Sequence, residues 1–239
     1  MKRISLFASA ILVASSLSFL SSCNNAPKSQ EAEVADTVAV VPEETQSTKE
    51  LMVDVSASAV TWIGAKPTGQ HNGTIGISPD SKLMVENGML TGGTIMITMS
   101  DIKVLDLQDK PDKNAELVNH LKSDEFFAVA TYPTSTFTIT NVEAVGASTI
   151  ETKKGDYTTE NPTHKITGNL KMMDVEKAIT FYANVTMPAE GEVKASAKFN
   201  IDRTEFNVSY KAEGTDKIKD QFINNTVNIG FDITAKAAM

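Results

Sequence analysis

The chain has 239 residues, 41% of them hydrophobic, with 22 Lys and Arg set against 30 Asp and Glu for a formal net charge of −8. That balance argues against nucleic acid as a partner, since phosphates demand a basic footprint, and it gives no polybasic help toward anionic lipid surfaces. Cys23 is the only cysteine, so no internal disulfide framework and no multi-thiol metal site can form.

Lys2 and Arg3 open the chain, and Ile4 to Phe19 follow as an apolar run diluted by Ser and Ala. This reads as a secretory signal peptide over residues 1–22, because the run is shorter than the roughly 18 to 20 apolar residues of a spanning helix. Leu20-Ser21-Ser22-Cys23 resembles the bacterial lipobox, which implies cleavage before Cys23, a diacylglyceryl thioether on its sulfur and an acylated new amine. Each buried methylene contributes roughly 0.8 kcal/mol, so such chains hold a protein on a membrane almost permanently. Lipidation would also consume the only thiol and leave none for catalysis. The expected location is the bacterial cell envelope, lipid-anchored at the periplasm or the outer membrane.

Residues 23–50 are rich in Asn, Pro, Ser, Gln, Thr, Ala and acids and carry no large apolar cluster, which predicts a flexible tether. Residues 51–239 fit one domain.

Within that domain the dominant period is two. Val60 to Lys66 and Gln70 to Ser78 are the first two predicted strands. Ile95, Ile97 and Met99 then share a face opposite Thr94 and Thr98. Asn114 to Ser123, with Leu117, Val118 and Leu121 at helical spacing, predicts a short helix. Phe137 and Ile139 alternate with threonines, and Lys165 to Met172 adds a further strand. Ile179, Phe181, Ala183, Val185 and Met187 alternate with polar residues, as do Val193, Ala195, Ala197, Phe199 and Ile201. Asp216 to Phe222 is a second predicted helix. Val227, Ile229, Phe231 and Ile233 close the series. Each strand has one apolar and one wet face, as antiparallel sheets around an interior require. The prediction is an all-β fold: an eight-stranded antiparallel, lipocalin-like barrel with one or two short helices. Strands of about ten residues tilted near 40° make a tube roughly 25 Å long, suited to a long apolar chain.

Several stretches resemble the YceI-like family, in order. They are Val60-Thr61-Trp62-Ile63-Gly64-Ala65-Lys66 leading to His71-Asn72-Gly73, and Leu117 to Phe127 followed by Tyr132-Pro133-Thr134-Ser135-Thr136-Phe137. Gly168-Asn169-Leu170 and Phe199 to Phe206 complete the set. The resemblance implies an extended lipocalin-type barrel that binds a polyisoprenoid or similar single-chain amphiphile. Lys171-Met172-Met173-Asp174-Val175 departs from the family's usual Thr and Gly turn, and Gly146 to Asn161 is a long polar connection.

Candidate ligand-wall residues are Trp62, His71, Ile95, Ile97, Phe126, Phe127, Phe137, Phe181, Phe199 and Phe231, each of which could equally serve as core. His71 shares parity with Gly73, Ile75 and Ile77, so it could point into the barrel, toward a ligand's polar end; the alternative is a histidine hydrogen-bonded within the wall or exposed at a strand start. His120 is expected to cap or pack the helical block, His164 to be solvated at a loop exit, and Arg203 to form an ion pair beside Asp202 or Glu205. Asp54, Asp101, Asp106 and Asp109 read as solvated loop carboxylates. No local zinc spacing, nucleophile elbow, phosphate loop or dinucleotide fingerprint is present, so neither metal nor cofactor is expected. The expected function is non-catalytic binding or carriage of an amphiphile. An interaction module with a filled barrel and an enzyme acting on the bound lipid are the alternatives, and a homodimer stays open.

Overall fold

The computed structural model describes residues 26–39, 48–146, 155–214 and 222–237. Cys23 and most of the predicted helix at Asp216 to Phe222 lie outside the described residues.

The elements in chain order are β1 (Glu33–Ala35), β2 (Lys49–Val53), β3 (Ala59–Lys66), β4 (Gly69–Ile77), β5 (Lys82–Glu86) and β6 (Met89–Val104). They continue with helix α1 (Pro111–Lys122), β7 (Thr134–Ala144), β8 (His164–Met172), β9 (Val175–Ala189), β10 (Glu192–Asp202), a 3-10 turn (Arg203–Phe206) and β11 (Thr226–Lys236). Strands β3, β4 and β6 to β11 close into an eight-stranded antiparallel barrel, the predicted architecture. Its eight strands are the eight read from alternation, because a pleated strand with one apolar face must turn that face to a shared interior. Ile179, Phe181, Ala183 and Val185 of β9, and Val193, Ala195, Ala197, Phe199 and Ile201 of β10, are all buried.

Between β6 and β11 the wall is built in two tiers. At one end β4 pairs with β6 and β3 with β11; at the other, β5 pairs with β6 and β2 with β11. Leu51, Leu83 and Leu90 are buried at this second end. Short strands suffice because the long β6 and β11 each serve two partners.

Helix α1 lies at the first end, which we call the mouth. It begins at Pro111, three residues before the predicted start, with proline at a position where its missing N–H costs nothing. The Asn114 amide donates to the Val104 carbonyl at 2.9 Å, and the Ser123 hydroxyl donates to the His120 carbonyl at 2.7 Å. The β8–β9 connection stays a tight turn, with Met172 paired to Val175 and Met173 at φ 53°, a left-handed value where glycine is the usual residue.

The tether expectation needs correction for residues 26–39. β1 pairs with Ala178–Thr180 of β9, while Asn200 of β10 donates its N–H to Gln30 O at 2.7 Å and accepts from Ala32 N–H at 2.8 Å. The outer faces of β10 and β11 are therefore not wholly wet. Asn200 and Asn228 are buried there, and their amides hydrogen-bond to each other and to Pro27 O, Glu31 and Tyr157 O. A largely polar segment still docks because strand backbones and buried side-chain amides satisfy its backbone, and Ala32 and Val34 turn toward the core.

Candidate functional site: an apolar lumen with a cationic mouth

Inside the barrel is a cavity of about 440 Å³. It lies within the range of roughly 300 to 1,000 Å³ for small-molecule sites. All ten candidate wall residues, Trp62 and His71 through Phe231, line it. Period two placed the eight strand residues there, since on a closed sheet one parity faces the lumen, whereas Phe126 and Phe127 come from the connection after α1.

Two glycines let the aromatic walls form. Trp62 lies flat over Gly73, where a Cβ would stand 2.8 Å from the indole and 1.8 Å from the Lys103 carbonyl oxygen. Phe137 likewise covers Gly168, where a Cβ would meet the ring at 2.5 Å. Phe181 stacks on Phe199 with centroids 4.4 Å apart and planes 10° from parallel, and Phe137 and Phe231 each flank Phe181 at 5.6 Å.

The polar groups collect at the mouth. Lys66, His71, Tyr210 and Lys211 line the cavity there, whereas no Asp or Glu does among the described residues. The His71 ring lies 2.8 Å, through Nδ1, from Asp106, which also accepts from the Asn72 N–H at 3.0 Å. Asp106 is thus a wall partner and not a solvated loop carboxylate. Burial alone would raise its pKa, but the Asn72 and His71 hydrogen bonds outweigh burial and hold it below the ordinary carboxylate value. Asp54 is likewise engaged, accepting from the Ser56 N–H and hydroxyl, and Asp101 lies within strand β6.

His120 packs the mouth as expected, edge-on to Phe126 at 5.0 Å and to Tyr210 at 4.8 Å, with Nε2 2.9 Å from Glu125. It lines the cavity too, as do Leu117 and Leu121 of α1. These three were not among the candidate wall residues, because helix spacing does not say which end of a barrel a helix covers. Two other expectations fail. His164 begins β8, with Nδ1 2.8 Å from the Thr163 hydroxyl, and burial lowers its pKa. Arg203 makes no ion pair with Asp202 or Glu205. Its buried guanidinium donates to the carbonyls of Asn224, Val208, Tyr210 and Ile223, while Glu205 pairs with Lys177. Four carbonyls of two irregular segments need donors, and the five-donor fork is the side chain that supplies them.

The YceI-like domain family matches residues 51–235. The chain belongs to the YceI-like family. Among solved structures, BcnA from Burkholderia cenocepacia is similar at 19% identity and TM-score 0.55, covering 77% of this chain and 99% of that one. A polyisoprenoid binding domain from Saccharophagus degradans, implicated in plant cell wall breakdown, is similar at 13% identity and TM-score 0.53, covering 79% and 98%. No curated protein matches the sequence significantly. The two structures share the YceI-like barrel with this chain.

Proposed function

We propose that this YceI-like protein is a non-catalytic carrier or scavenger of a long, single-chain amphiphile, a polyisoprenoid or a lipid of like shape, held tail-down in the lumen. The observation that carries this reading is the apolar cavity of about 440 Å³ lined by Trp62, Ile95, Ile97, Phe137, Phe181, Phe199 and Phe231. The S. degradans structure, described as a polyisoprenoid binding domain, supports the same ligand class. The head group sits at the α1 mouth, where Lys66, His71, Tyr210 and Lys211 offer donors and cations. An unfilled lumen favours this over a barrel packed shut by its own side chains. The carrier works in the bacterial envelope, tied to a membrane through acylated Cys23.

Trp62 is the only tryptophan and lines the lumen, so its emission reports occupancy directly. Titration of the protein with isoprenoid alcohols of increasing length should shift that emission. Affinity should rise by roughly fourfold per added buried methylene, about 0.8 kcal/mol each, until the lumen is full. No response at any chain length contradicts the reading.

A further inference from the structure

The barrel wall has a window. β9 and β10 pair only from their shared turn up to Asn184 and Ser196, although both strands run on toward the mouth. Above that point their backbones no longer bond to each other. The mouth end of the gap is spanned by the Lys177–Glu205 ion pair.

Segments from elsewhere in the chain fill the gap. The Thr159 hydroxyl accepts from the Lys198 N–H at 2.8 Å and reaches the Tyr182 and Lys198 carbonyls. Gln30 and Ala32 bond to Asn200 on one side, and β1 pairs with Ala178–Thr180 on the other, so residues 30–35 lie between the two strands as an inserted edge. The Asn169 amide binds both the N–H and the carbonyl of Val38, at 3.0 and 2.8 Å, where the segment leaves the wall.

Beneath this strap is a second cavity of about 260 Å³, lined by Gln30, Glu31, Glu33 and Lys198 among others, and also by Phe181 and Phe199. The same two residues line the lumen, where their rings stack. Through the window, therefore, Phe181 and Phe199 are the two residues that the outer pocket and the interior share. Rings held by stacking can swing, so what keeps the window shut is the strap, through its pairing with β9 and its bonds to Asn200.

We propose that the β9–β10 window is a lateral entrance to the lumen for an apolar chain, and that residues 27–35 are its door. Withdrawal of the strap exposes Phe181 and Phe199, and rotation of these rings joins the outer pocket to the lumen. A chain-like ligand then slides in sideways without having to thread past α1. This rests on the lumen being the ligand site. If Cys23 is the membrane anchor, the strap begins four residues beyond it and the window opens close to the bilayer from which a lipid would come.

The test locks the door. In the full chain carrying Cys23→Ser, Glu33→Cys and Thr180→Cys place the only two thiols on directly paired β1 and β9 positions. Cα separations in such pairs fit a disulfide. Uptake rates of anilinonaphthalene sulfonate and of a pyrene-labelled isoprenoid alcohol are measured on the same sample, oxidised and then reduced with dithiothreitol. The lateral entrance predicts uptake at least tenfold slower in the oxidised form and recovery on reduction. Equal rates for the dye in both states, or no entry of the dye in either, overturn the proposal. Redox-gated dye uptake with no isoprenoid binding would uphold the window and overturn the lipid assignment instead.

Discussion

Gly73 and Gly168 show what single residues decide in this barrel. Both lie under an aromatic ring of the lumen wall, in conformations open to any residue, so it is space and not backbone freedom that demands glycine. Gly73→Ala should cost about 3 kcal/mol, the upper part of the range for overpacking, read as a lower urea midpoint at unchanged m-value. Arg203→Lys should cost about 2 to 3 kcal/mol, because an ammonium cannot satisfy all four carbonyls and orphaned buried acceptors are expensive. His164 gives a pH dependence. Burial lowers its folded pKa below 6.5, so the unfolded chain binds the proton more tightly. Its contribution is intact above that value and is lost as pH falls through the folded pKa. A His164→Gln variant should flatten the slope of stability against pH in mildly acidic solution. At this scale the sequence shows which face His71 and the phenylalanines occupy, since parity follows from the pleat. It does not show that Asp106 is the partner of His71, because that contact depends on a register between β4 and the end of β6. Nor does it show that Arg203 serves carbonyls, since the segments supplying them have no regular pattern.

At the scale of elements, the eight barrel strands are legible because each repeats its alternation for long enough to be distinguished from a loop. β2 and β5 are not. They are short, and Leu83-Met84-Val85 offers no clean alternation, so their place in the lower tier comes from β6 and β11 having length to spare. The docked segment 26–39 is hard to see for a different reason: its apolar anchors are only Ala32 and Val34, and the rest of its hold comes from backbone pairing with β9 and β10 and from the amides of Asn169 and Asn200. Helix α1 is legible as a helix but not as part of the lumen lining. Leu121→Ala should destabilise the protein by about 2 to 4 kcal/mol as a large-to-small core change. It should also speed ligand release, measurable by transfer of a labelled isoprenoid to acceptor vesicles. Unchanged release would mean that α1 does not restrict the mouth.

For the molecule as a whole, a net charge of −8 and a cavity lining that is largely apolar and, among the described residues, free of Asp and Glu set surface and interior apart. In the proposed carrier the excess of acidic charge favours solubility of the body, and the lumen would supply affinity through buried apolar area. Anchoring and binding are then separable: Cys23→Ser should release the protein from membranes while leaving the response of Trp62 to isoprenoid alcohols intact. The most direct measurement of the central claim is native mass spectrometry of the protein purified from a bacterial envelope. The expected result is one bound mass of a long apolar amphiphile per barrel, displaced one-for-one by added polyisoprenoid. A barrel that is consistently empty, and that takes up no added isoprenoid, would contradict it.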